Sequence, residues 1–218
     1  MQVLKDIKAI IFDLDGTLVD SMWIWKQIDI DFLEKRGIAL PDDLQKEIEG
    51  MSFTETANYF ISRFGLKEPL ESIQDEWNDM AKIFYGSRIP LKEYAKQLIE
   101  YASTNQIKLG IGTSNSRELL EEVTRAHAIH TYFESMRTSC EVAKGKPSPD
   151  IFLKVAEDLG VSPEQCLVFE DTHAGVLAAK NAGMKVIAVY DDLSAPYRDV
   201  IEADADHYIL SFKELFSA

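Results

Sequence analysis

The chain has 218 residues, 46% of them hydrophobic, and 23 Lys and Arg against 37 Asp and Glu give it a formal net charge of −14. That length holds one large domain, or a core with a smaller companion. The acidic balance argues against a nucleic-acid partner, which needs a basic face, but leaves room for a small phosphorylated ligand at a local cationic site. No apolar stretch reaches the length of a membrane span, and the charges of Met1–Asp6 argue against a signal peptide. Two distant cysteines, Cys140 and Cys166, fit a reducing cytoplasm better than a disulfide scaffold.

In chain order, the apolar run Ala9–Phe12 predicts a buried strand that stops abruptly at Asp13-Leu14-Asp15-Gly16-Thr17. The next strand candidate is Lys108–Gly112, and the interval between them is far longer than a single crossover needs. That interval reads as helical. Trp25, Ile28 and Phe32 form an apolar stripe on a first helix, which stops at Gly37. Pro41 and Asp42 open a second, ending at Gly50. Ser52 with Glu55 three residues on is a capping box for a third. Ile73, Trp77, Met80 and Phe84 recur at helical spacing in a fourth. Gly86 and Pro90 mark the return, and Leu91–Tyr101 predicts the helix feeding the second strand. The expectation is a helical cap over 21–84, inserted into a core made of 1–20 and 85–218.

Beyond the insert, strands at Ser135–Thr138, Leu167–Phe169, Val186–Val189 and Tyr208–Leu210 alternate with helical patterns. This predicts an α/β fold, a doubly wound, Rossmann-like parallel sheet. Asn115 with Glu118 resembles a capping box, Ser148-Pro149 an N-cap followed by proline, and Gly160 and Gly183 close helices. His127, His130, His173 and His207 form no metal-binding cluster and read as surface or capping residues.

Four segments fall at or just beyond C-terminal strand ends, the edge where open α/β sheets bind ligands. Asp13 and Asp15 stand one residue apart at the mouth of a buried strand. Such a pair repels and costs desolvation, so a fold keeps it where a cation or a reaction requires it. Thr113, Ser114 and Asn115 bring hydroxyls and free N–H groups to a helix start. These suit an oxyanion or phosphate, and ordinary N-capping accounts for them equally well. Lys146, fixed by the following Pro147, can point at an anion, although loop lysines are usually solvated. Glu170-Asp171 repeats the opening pattern of acids after an apolar run. Together the four segments carry the parts of metal-assisted phosphoryl chemistry.

Asp13-Leu14-Asp15-Gly16-Thr17, Thr113, Lys146-Pro147 and Glu170-Asp171 resemble, in order and spacing, the four motifs of the haloacid dehalogenase superfamily. The stretches KPSPDIF and FEDTHAGVLAAKNAGM are especially similar to its branch of β-phosphoglucomutases and small-molecule phosphatases, which carries a helical cap. The resemblance implies Asp13 as nucleophile, forming an aspartyl-phosphate, and Asp15 as general acid and base. It implies Mg²⁺ held by the Asp13 carboxylate, the Asp15 carbonyl and Asp171, with Glu170 supporting directly or through water. Thr113 and Lys146 would hold the phosphoryl group, and Ser114 and Asn115 would add contacts.

Dehalogenases of the superfamily typically lack the second aspartate, so Asp15 favours phosphoryl transfer. The nearest rival to a phosphatase is a phosphosugar mutase. β-Phosphoglucomutases carry a Lys directly before the cap-loop Gly, an Arg three residues after it, and a His on the first cap helix. Here Gly50 is flanked by Glu49 and Phe53, and Trp25 takes the His position. The expectation is therefore a cytoplasmic, Mg²⁺-dependent phosphatase acting on a small phosphorylated metabolite, a monomer with no nucleic-acid or membrane partner. Its cap face would be rather apolar, formed by Trp23, Trp25, Met51 and Phe53. Core packing explains Trp25 better, and Phe53 as well as, substrate contact. A binding or regulatory protein on an inactive scaffold would have lost a nucleophile, acid or metal ligand, and none is lost. Pro90-Leu91 stands where the branch often has Pro-Gly, which bears on the hinge.

Overall fold

Six short segments become strands, apolar at the centre and more polar at the edges: β1 Ala9–Phe12, β2 Lys108–Thr113, β3 Ser135–Thr138, β4 Cys166–Glu170, β5 Lys185–Val189 and β6 His207–Ile209. All pair in parallel, in the order β3-β2-β1-β4-β5-β6. The computed structural model describes residues 2–216. Met1, Ser217 and Ala218, at the outer limits of the expected core segments, lie outside the described residues.

β1 is buried along its whole length, as a central strand covered on both faces must be. Its period-2 alternation feeds two apolar layers. Ile10 and Phe12 join α5 (Ala95–Thr104) and α6 (Arg117–Ala126). Ala9 and Ile11 join α7 (Asp150–Leu159), α8 (His173–Asn181) and α9 (Arg198–Asp204). Phe12 stacks on Phe169 with ring centroids 5.3 Å apart, tying β1 to β4 at the functional edge.

Between β1 and β2 the chain forms α1 Met22–Glu34, α2 Leu44–Ile48, α3 Phe53–Phe64 and α4 Leu70–Tyr85. Phe32, Phe60 and Trp77 interlock edge to face at their centre. These rings belong to the same apolar cluster as Ile10 and Phe12, so buried side chains run without a break from insert to sheet. The two linkers are hydrogen-bonded to each other: Asp20 N–H donates to Pro90 O at 3.0 Å and Lys92 N–H to Leu18 O at 3.0 Å. Leu91 bridges Val19. This pairing is why α5 begins at Ala95 and not at the expected Leu91.

The Ser52–Glu55 capping box forms in full. Two other expected caps do not. Ser116, not Asn115, caps α6 by accepting from Leu119 N–H, while Asn115 Oδ1 accepts Ser116 N–H and its Nδ2 points away to Asp15. α7 opens at Asp150 behind Pro149, and Ser148 Oγ donates to the Asp150 carboxylate instead of capping.

Candidate active site

The strand ends deliver every residue of the four segments to one edge of the sheet. Asp13 extends the ladder past β1, its N–H donating to Phe169 O at 2.9 Å. The chain then turns at Gly16, whose φ of +79° favours glycine. A Cβ there would also collide with Asp171 Oδ2, so glycine is required twice. The hydroxyl of Thr17 donates to Asp171 Oδ1 at 2.9 Å and holds that carboxylate beside the turn.

Lys146 is the cationic centre. It is buried, and its Nζ donates to Asp13 Oδ1 at 2.6 Å and to Glu170 Oε1. Burial opposes its charge, but Asp13 and Glu170 outweigh that cost and raise its pKa. The other oxygen of Glu170 accepts the N–H groups of Asp171 and Thr172, each at 2.8 Å, and the Thr172 hydroxyl. Glu170 thus anchors both Lys146 and the first turn of α8. Gly175 makes room for it, since a Cβ there would overlap the Glu170 carboxyl group.

Burial pushes the Asp13 carboxyl well above its ordinary range, with Lys146 opposing and Glu170 and Asp15 reinforcing. Asp171 is pushed up by burial and then by the charges of Glu170, Asp13 and Asp191. Asp171 Oδ2 is buried without a hydrogen-bond partner. An unpartnered carboxylate oxygen beside two further acids fits a hard divalent cation, which would supply the missing positive charge. Among the described residues no three His, Cys, Asp or Glu side chains gather into a cage. A cation here would therefore also draw on main-chain and substrate oxygens, as Mg²⁺ commonly does.

Asp15 has its own set of donors. Ser21 Oγ donates to Oδ1 at 2.6 Å, the Tyr85 hydroxyl donates to the same oxygen, and Asn115 Nδ2 donates to Oδ2 at 2.8 Å. Trp25 Nε1 donates to the Tyr85 oxygen at 2.7 Å, and Asn115 Nδ2 reaches the same oxygen at 3.0 Å. Tyr85 is fully buried, and burial together with the Asp15 charge raises its pKa, so it stays a donor. Sequence reasoning missed Tyr85 by ending the insert at residue 84. The signal was available: Ile73, Trp77, Ala81 and Tyr85 continue one buried stripe at i+4, and the last brings a hydroxyl to its end.

Thr113 Oγ1 accepts from Asn115 N–H at 3.1 Å, and Ser114 faces the insert, where its carbonyl accepts Phe53 N–H at 2.9 Å. A cavity of about 190 Å³ connects Asp13, Asp15, Thr113 and Lys146 to the interior of the insert. Trp25, Met51 and Phe53 line it. Trp23 does not: it is 49% exposed, packs on Phe84 and donates to Asp20 O. The expected set of four insert residues is corrected to three, because Trp23 lies on the outer face of α1. Glu49 lines the mouth and accepts Ala174 N–H at 2.8 Å, joining the insert to the first turn of α8.

This edge and its connectivity define the class. The chain belongs to the haloacid dehalogenase-like hydrolases, whose family model matches residues 10–189, and it is an enzyme of that hydrolase class. Among its relatives, the phosphorylated carbohydrates phosphatase of Thermotoga maritima is 32% identical over 83% of this chain and 84% of that protein. The β-phosphoglucomutase of Bacillus subtilis is 30% identical over 84% of this chain and 83% of that protein. A crystal structure of a CbbY mutant from Rhodobacter sphaeroides in complex with xylulose-(1,5)bisphosphate superposes with a TM-score of 0.85. It is 25% identical and covers 96% of both chains. No helix among the described residues is long and apolar enough to cross a membrane.

Proposed function

We propose that this protein is a Mg²⁺-dependent phosphatase that hydrolyses a small phosphomonoester, a sugar phosphate or similar metabolite, through an aspartyl-phosphate on Asp13. The observation that carries this reading is the division of labour between the two carboxylates. Asp13 is bound to Lys146 at 2.6 Å, whereas Asp15, two residues on, is held by a separate set of neutral donors.

An oxygen of Asp13 attacks phosphorus while the P–O bond to the leaving group breaks, and Asp15 gives its proton to the departing oxygen. Asp15 then takes a proton from water, which attacks the aspartyl-phosphate and releases inorganic phosphate and free Asp13. Lys146 and the Thr113 hydroxyl bind the phosphoryl oxygens, with Ser114 and Asn115 shaping that side of the pocket. The carboxylates of Asp13 and Asp171 and the carbonyl of Asp15 would hold Mg²⁺, with Glu170 fixing Lys146 beside them. The ion supplies charge neutralisation that lets an anionic phosphate approach an anionic nucleophile. Residues 21–84 act as a cap over a core of 1–20 and 85–218; its contacts through Trp25, Glu49 and Phe53 exclude bulk water from the reaction.

Water, not a second sugar hydroxyl, is the final acceptor in this reading. A mutase must retain a bisphosphorylated intermediate, and Lys146 is the one basic residue lining the cavity among the described residues. Purified protein with Mg²⁺ should release phosphate from an aryl phosphate and lose that activity in EDTA. Conversion of β-glucose 1-phosphate to glucose 6-phosphate faster than its hydrolysis would overturn the assignment.

A further inference from the structure

The far end of the cavity holds a polar group that the catalytic reading does not use. Asp29, on α1, is 6% exposed and lines the cavity together with Gln45 and Trp77. Its one hydrogen-bond partner among the described residues is the neutral Gln45 amide, whose Nε2 donates to Oδ2 at 2.6 Å. Trp77 is 2% exposed, and its indole N–H has no hydrogen-bond partner. Thr56 also lines the cavity and donates its hydroxyl to Ser52 O, which leaves its oxygen able to accept. A buried carboxylate without a counter-charge and a buried N–H without an acceptor are both costly in a finished core. Their convergence on one cavity marks a place where a ligand completes the hydrogen bonding.

We propose that Asp29, Gln45 and Trp77 form a clamp that selects substrates whose leaving group is neutral and rich in hydroxyls, such as a polyol or sugar monophosphate. The inference rests on the phosphatase reading and names its substrate class. A hydroxyl donates and accepts, so one polyhydroxylated chain satisfies the Asp29 oxygens, the Gln45 amide and the Trp77 N–H together. An ammonium group offers only donors and leaves Trp77 unpaired. A second phosphate or a carboxylate would meet the Asp29 carboxyl group with no cation beside it. Burial pushes the Asp29 carboxyl up to about 7 against the Gln45 hydrogen bond, in keeping with a site that holds no cation. The clamp also explains how a cavity walled by Trp25, Met51 and Phe53 can take a polar molecule: rings cover its faces while the hydroxyls are read at the end.

The test separates binding from turnover. Calorimetry on the Asp13→Asn protein, with sorbitol 6-phosphate and phenyl phosphate as probes, measures recognition without hydrolysis. Adding Asp29→Leu should weaken sorbitol 6-phosphate relative to phenyl phosphate by about 10- to 100-fold, the range for losing hydrogen bonds to a charged group. Asp29→Asn and Trp77→Phe, which keep size and fold, should each shift the same ratio by about 3- to 10-fold. A ratio unchanged across all three variants overturns the clamp, as does tighter binding of fructose 1,6-bisphosphate than of sorbitol 6-phosphate. Aryl-phosphate hydrolysis by the parent protein tests the phosphatase reading separately. Loss of that activity with the binding ratio intact would leave a polyol-phosphate binder, and turnover with an unmoved ratio would leave a phosphatase without this clamp.

Discussion

The two ends of the cavity bury carboxylates by opposite means. At the sheet edge, Asp13 and Glu170 share a buried lysine, Asp15 is held by hydroxyl, indole and amide groups, and Asp171 Oδ2 is buried without a partner. Inside the insert, Asp29 has a single neutral amide. In the proposed reaction charge moves at the first end, and donors fixed before substrate arrives suit such a step. Charge at the second end is left uncompensated, which suits recognition, where the ligand supplies the missing partners. The same side chain type therefore reads differently according to what surrounds it, and substitutions at the two ends should separate.

The largest separation comes from Asp13→Asn. Replacing the proposed nucleophile should lower kcat by at least about 10³-fold in a phosphate-release assay. Asp29→Asn in the same assay should act chiefly through KM for a hydroxylated substrate. Comparable kcat losses from both substitutions would erase the distinction between the two ends.

Tyr85→Phe comes next. It removes one donor from Asp15 while leaving the ring against Trp25, at 6.1 Å between centroids. The expected loss in kcat is about 10- to 100-fold with KM nearly unchanged, as for misplacing a general acid that contributes about 10²–10⁴. An equal rise in KM would show that Tyr85 shapes the substrate pocket instead. Gly175→Ala should destabilise the fold by about 1–3 kcal/mol, because the methyl group must displace the Glu170 carboxyl. Urea unfolding measures this, and an unchanged midpoint would show that α8 yields without cost.

The sheet was legible because its central strands are short apolar runs ending in turn residues, and a run such as Ala9–Phe12 has few alternative conformations that bury it. Strand ends shifted by a residue where backbone pairing continued into polar positions, as at Thr113 opposite Thr138 and Glu170 opposite Ala188. The four segments of the proposed active site were legible as local patterns. What joins them was not: Tyr85 meets Asp15 across 70 positions of sequence, and spacing carries no record of such a contact. Asn115 was misread for a related reason. An amide before a helix is a good cap in isolation, and only the fold reveals that its Nδ2 turns to Asp15 while its Oδ1 takes the Ser116 N–H. The Trp25–Ile28–Phe32 stripe identified one face of α1 but did not separate Asp29, one position off the stripe, from a solvated acid. Trp23 was misassigned because an aromatic residue on a short amphipathic helix carries no sequence mark of which face meets a cavity.

The smallest expected effect is one of stability, and it bears directly on Asp29. Its carboxyl is raised from 3.8 to about 7 in the fold, with burial as the main cause. Between those values the folded chain keeps a proton that the unfolded chain has released, so stability falls as pH rises from about 4 to about 7 and is flat above. Asp29→Asn removes this titration. The variant should match the parent near pH 4 and exceed it above about pH 7, by about 1–2 kcal/mol, because water in the cavity solvates part of the parent's charge. Urea unfolding at both pH values measures the gap. A constant gap would mean that Asp29 does not titrate with folding, and a less stable variant at high pH would mean that its charge is compensated after all. The expected outcome is a substitution that strengthens the fold and weakens recognition of a hydroxylated substrate. An acid kept in a core for packing alone would give no reason for the two effects to oppose each other.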